Sequence, residues 1–77
     1  MVRESDRQKF VQLAQARVNK TLKNIQLIGN LSNRSNYDYT DEDVDKIFRA
    51  LNQEINACKK RFEISKRKAE AASFTLE

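Results

Sequence analysis

Apolar residues recur at steps of three and four along two long stretches of the chain, and a strongly polar stretch separates them. In the first, Val11, Ala14, Val18, Thr21, Leu22, Ile25 and Ile28 fall on one face, leaving Arg7, Lys9, Gln12, Gln15, Lys20 and Lys23 mainly for the others. That spacing predicts an amphipathic helix over about residues 6–29. Ser5 followed three residues later by Gln8 reads as a capping box at its start, and Gly29 supplies a residue able to take the left-handed conformation at its end. In the second stretch Val44, Ile47, Phe48, Leu51, Ile55, Cys58, Phe62 and Ser65 keep helical spacing through about six turns, predicting a helix over about residues 41–68. Thr40 is its expected N-cap, with Asp43 at N3 and with Tyr39 and Val44 flanking the cap as a hydrophobic staple. Asp41, Glu42, Asp43 and Asp45 then face the positive end of the helix dipole, and the lysines and arginines gather towards the other end. Residues 69–77 read as a flexible tail whose Phe74 and Leu76 offer a partner-binding segment; the closing Leu76–Glu77 has the look of a cloned tag junction.

Between the helices, residues 30–40 form a connector longer than the usual two to eight residues. Its Asn and Ser side chains are good turn formers, because short polar side chains bond nearby backbone groups. A functional reading stands beside that one. Asn33, Arg34, Ser35, Asn36 and Tyr37 bring donors, acceptors and an aromatic face to an exposed tip, where recognition residues are often displayed on a rigid scaffold.

Composition supports helices over sheet: there is no proline, one glycine, and 34% of the residues are charged. A 77-residue chain is one small domain, marginal in stability unless a disulfide, a metal or a partner helps. The predicted fold is all-α, an antiparallel two-helix hairpin that sets Ile28 near Val44, Leu22 near Leu51 and Val11 near Phe62. Two helices alone have no interior, and Phe10, Leu13, Leu27, Leu31 and Phe48 widen the apolar surface beyond one seam. A homodimer forming a four-helix bundle would cover that excess. Charge favours an antiparallel union of hairpins. Residues 1–29 carry six basic and two acidic side chains, 41–58 two and five, and 59–77 six and three, so antiparallel association brings opposite ends together.

The run RVNKTLKNIQLIGNLSNRSNYDYTDEDVDKIFRALNQEI, residues 17–55, resembles a segment shared by a group of small, uncharacterised bacterial helical proteins associated with genomes rich in mobile elements. The wording in common is GNLSNRSNYxYTxEDVxKIF. The resemblance covers about half the chain and implies a bacterial origin; it carries no activity, cofactor or catalytic residue with it.

Candidate chemistry is sparse. With no histidine and one cysteine, Cys58, the usual zinc constellations and an internal disulfide are both missing. Cys58 lies on the apolar stripe with no partner base and reads as a small core residue. The acidic cluster at 41–45 is explained as a helix start better than as a calcium loop, which needs spaced oxygens and a glycine. No phosphate-cradling loop is possible with one glycine, so enzyme function, metals and cofactors are not expected. The absence of a membrane-spanning run and of an apolar leader in MVRESDRQKF points to a cytoplasmic protein without a membrane partner. The expected function is a protein-interaction module, a bacterial or mobile-element accessory protein that acts as a homodimer on an unknown protein partner. The alternative is a nucleic-acid-associated accessory protein. A sequence pI near 9.5 suits it, and Lys59, Lys60, Arg61, Lys66, Arg67 and Lys68 are its candidate phosphate contacts, although lysines near a helix C-terminus are also ordinary dipole compensation.

Overall fold

The computed structural model describes residues 3–72 and is all-helical: α1 spans Glu4–Asn30 and α2 spans Asp41–Ala72, with no strand among the described residues. The chain divides between Asp38 and Tyr39 into two units, each considered by itself. The tail segment with Phe74 and Leu76 lies outside the described residues.

In the first unit, α1 begins earlier than the serine signal indicated. Arg3 occupies the N-cap position with no side-chain capping bond, and its carbonyl accepts the Arg7 N–H at 2.9 Å. Ser5 is therefore inside the helix, and the Ser5–Gln8 capping box does not form. Glu4 and Asp6 stand in the first turn, where acidic side chains oppose the positive end of the dipole. Asp6 also meets Arg3 at 4.0 Å across an exposed i,i+3 pair. Thr21 fits the apolar stripe because its hydroxyl donates to the Arg17 carbonyl at 2.8 Å, which satisfies the polar atom within the helix.

The end of α1 also departs from expectation. Gly29 has no left-handed conformation; no glycine among the described residues has a positive φ, and the helix runs on through Asn30. Leu31 closes it in right-handed geometry, with Leu31 N–H donating to Ile28 O and Ser32 N–H to Gly29 O, both at 3.0 Å. These are i→i+3 bonds that tighten the last turn and satisfy orphan carbonyls without an αL residue.

In the second unit, α2 starts where the sequence indicated and extends four residues further, through Ala69, Glu70, Ala71 and Ala72. Alanine and glutamate are strong helix formers, so nothing in that run stops the helix at residue 68. At about 1.5 Å per residue, α2 is about 48 Å long.

No side chain among the described residues is buried. Val11, Ala14, Ile28, Tyr39, Val44 and Leu51 reach partial burial, and the remaining stripe residues are exposed, Phe62 at 61% and Phe48 at 52%. Cys58 is exposed too, so its own unit supplies no core around it.

The conformation of Gly29 yields a direct test. An added Cβ there meets no atom within 4 Å, and a helical glycine is destabilising relative to alanine. Gly29→Ala should therefore raise stability by about 0.5–1 kcal/mol in urea unfolding. A loss of stability would show that the glycine is needed at a left-handed helix end after all.

Candidate functional site

The connector is organised by its own residues. Within the first unit, Asn33 acts as the hub of a short turn: its side-chain Oδ1 accepts the Ser35 N–H at 3.0 Å and the Ser35 hydroxyl at 2.6 Å. Its backbone carbonyl accepts the N–H groups of Asn36 at 3.1 Å and Tyr37 at 3.0 Å. This is an Asx-type turn followed by one helical turn that is not continued. Of the five residues expected at a recognition tip, Asn33 and Ser35 thus spend side-chain polar groups on each other. All five are exposed, and Tyr37 keeps 48% of its surface accessible. The Asn33-Arg34-Ser35 spacing carried the signal for this turn, since a side-chain oxygen bonding the backbone two residues on is what defines it.

The second unit opens with the capping box its sequence announces. Thr40 N–H donates to Asp43 Oδ2 at 2.9 Å, and Asp43 N–H donates back to Thr40 Oγ1 at 3.1 Å. Tyr39 and Val44, which flank the cap, are both half-buried, while the other residues of the first turn are exposed. Glu42 and Lys46 add an i,i+4 pair at 3.6 Å in the favoured order, acid before base. The Thr40 backbone N–H, then the Thr40 side chain, hold the Asp43 carboxyl below the usual aspartate range; Lys46 adds to this, while desolvation opposes it.

The basic residues do not sit where dipole compensation would place them. The last turn of α2 contains no basic residue, and dipole effects fade within that turn. Lys59, Lys60 and Arg61, then Lys66, Arg67 and Lys68, are exposed and repeat at an interval of seven. They form a basic surface along the second half of α2, in which Lys60 and Arg67 lie opposite the Val44–Phe62 stripe and Lys59, Arg61, Lys66 and Lys68 border it.

At the start of α1 a shallow, open hollow is lined by Arg3, Asp6, Arg7 and Phe10. Its groups are already engaged: Arg3 with Asp6, and the Arg7 guanidinium 5.8 Å from the centre of the Phe10 ring. Among the described residues no three His, Cys, Asp or Glu side chains gather as a metal-binding group. No helix among them is long and apolar enough to cross a membrane.

No protein-family model matches the chain, and comparisons with curated proteins and with solved structures give no match either.

The cap has a pH signature. Because the folded carboxyl of Asp43 titrates below its unfolded value, the unfolded chain binds more protons in between, and stability rises with pH through that window. The contribution is complete above about pH 4, the ordinary aspartate value, and is lost as pH falls from there through the lowered one. Helix melting followed by circular dichroism should therefore fall less steeply below pH 4 in Asp43→Asn than in the parent. Thr40→Ala, which removes one half of the box, should cost about 0.5–2 kcal/mol at neutral pH, whereas Tyr37→Ala should stay within about 0.5 kcal/mol of the parent.

Proposed function

We propose that the chain is a non-enzymatic protein-interaction module that works as a homodimer. In this reading each chain folds at its connector into an antiparallel hairpin, and two hairpins pair as a four-helix bundle. The observation that carries it is that no side chain among the described residues is buried, although both helices carry continuous apolar faces. Such helices gain most of their stability from packing an amphipathic face, and exposed apolar surface of this extent marks an interaction site. The bundle supplies a rigid scaffold for the connectors. Asn33 and Ser35 shape each connector from within, and Arg34, Asn36 and Tyr37 are the groups it offers to a protein partner. The resemblance over residues 17–55 supports a bacterial origin, and in this reading the module is a bacterial or mobile-element accessory protein that acts in the cytoplasm.

A second reading is favoured by one observation, the repeated basic triplets on α2 that the helix dipole does not account for. They suit a nucleic-acid-associated accessory protein whose lysines and arginines contact phosphates. Salt separates the two, because binding through several phosphates weakens steeply between about 50 and 200 mM salt.

Sedimentation at micromolar concentration tests the preferred reading. The expected mass is twice the 9.0 kDa of the chain. Leu51→Glu should abolish assembly and most of the helical signal, because an unpaired charge facing the bundle interior costs several kcal/mol. A folded monomer that tolerates Leu51→Glu would overturn the bundle. Duplex binding that is lost at high salt, with no effect of Tyr37→Ala on any partner, would favour the nucleic-acid reading.

A further inference from the structure

Val44, Phe48, Leu51, Ile55, Cys58, Phe62, Ser65 and Ala69 follow one another at intervals of four and three without a break. All lie within one continuous helix, α2. An average spacing of 3.5 residues is the repeat of a coiled-coil seam, distinct from the broader stripe of a helix that packs at the surface of a globule. The residues beside such a seam decide which helix is accepted and in which direction. In α2 these flanking positions are Asp45, Asn52, Lys59 and Lys66 on one side and Ile47, Glu54, Arg61 and Lys68 on the other.

We infer that α2 pairs antiparallel with α2 of a second copy, in one register, about a two-fold axis that crosses the seam between Asn56 and Ala57. This rests on the homodimer proposed above and specifies its interface: in the four-helix bundle the α2 seam faces the interior, where α1 and the partner's α2 share it. The axis lies at the midpoint of Asp41–Ala72, so the two helices overlap along their full length. In the seam, Leu51 packs beside the partner's Phe62, Ile55 beside the partner's Cys58, and Phe48 beside the partner's Ser65. Beside the seam, Asp45 meets the partner's Lys66, Glu54 meets the partner's Arg61, and Asn52 meets the partner's Lys59. Two-fold symmetry makes each pairing occur twice, and no flanking pair brings like charges together.

The neighbouring arrangements all do. Sliding the partner by one seven-residue repeat in one direction sets Glu54 against the partner's Glu54. Sliding it in the other sets Lys59 against the partner's Lys59 and Arg61 against the partner's Arg61. A parallel pair sets Arg61 against the partner's Lys66 and brings both acidic first turns, Asp41, Glu42 and Asp43, to the same end. Like charges across a seam are a well-attested means of rejecting a wrong register.

Charge reversal tests the register in the full chain. Glu54→Arg should weaken dimerisation about tenfold, two modest exposed pairs being reversed per dimer. Adding Arg61→Glu should restore it, while adding Lys59→Glu should not. Glu54 and Arg61 are seven residues apart on one helix, too far to pair with each other within the chain. Rescue by Lys59→Glu instead would indicate parallel pairing and overturn the inference, as would a Glu54→Arg dimer of unchanged affinity. A spin label on Lys46→Cys, in a Cys58→Ser background, gives a second measurement: the two labels should be offset by about 32 Å along the helix axis, at 1.5 Å per residue. A dimer with its labels side by side would overturn the register and leave the homodimer standing. A parent protein that sediments as a monomer would overturn the homodimer itself.

Discussion

Everything in this protein turns on apolar faces that neither helix covers within its own unit. Fixing a residue's backbone costs about 1–2 kcal/mol, and helical hydrogen bonds alone barely offset that in water. Among the described residues neither helix has a buried side chain to add to the balance. What the chain does provide for itself is local. The Thr40–Asp43 box, the Asn33 turn, the Glu42–Lys46 pair and the Thr21 back-bond each join residues no more than four apart. Such interactions set where helices begin and how the connector is shaped, but they do not hold an apolar face away from water. The long-range part of the energy has to come from a surface packed against those faces, and for that reason fold and function are one question in this chain.

How much of this the sequence disclosed depended on how many neighbouring residues agreed. Thr40 and Ser5 carry the same type of signal, yet only Thr40 caps a helix. Thr40 is preceded by Tyr39 and followed at the right distance by Val44, so the box and an apolar staple point to the same boundary. Ser5 is preceded by Glu4, and Lys9 stands where the staple partner would be. With good helix formers on both sides, the helix passes through Ser5 and starts at Glu4. Gly29 failed for a similar reason. A left-handed glycine end is usually secured by an apolar residue just beyond it that packs back on the last turn, and here that residue is Asn30. The helix accordingly ends in right-handed geometry at Leu31.

The two candidate sites were legible as residue sets. For the connector the sequence offered both a local turn and an outward-facing tip: the spacing of Asn33 and Ser35 carried the turn, and all five residues are exposed. The basic cluster was referred to the helix end because the apolar pattern stops near Ser65. The backbone continues to Ala72 on helix propensity alone. That extension takes the cluster out of the last turn, and with it the ordinary explanation for six basic side chains.

An account of α2 then has to explain two features that would be unrelated in an isolated helix: a 3.5-residue repeat that is apolar at every position but Ser65, and an excess of acidic residues in its first half and of basic residues in its second. A repeat of that kind drives pairing but is nearly indifferent to direction, since an apolar seam packs acceptably in several registers. Charge contributes little to the strength of association at an exposed rim, yet it discriminates well, because a wrong register replaces attraction with repulsion at the same positions. Each feature supplies what the other lacks. Polarity divided along the axis makes a parallel pair repel at both ends, and the placement of Glu54 and Arg61 on one side of the seam penalises a slip by one repeat. Full-length overlap and complementary flanking charges select the same register from independent considerations. In the proposed dimer, the division of charge along α2 would thus hold a symmetric pair of apolar helices to one alignment.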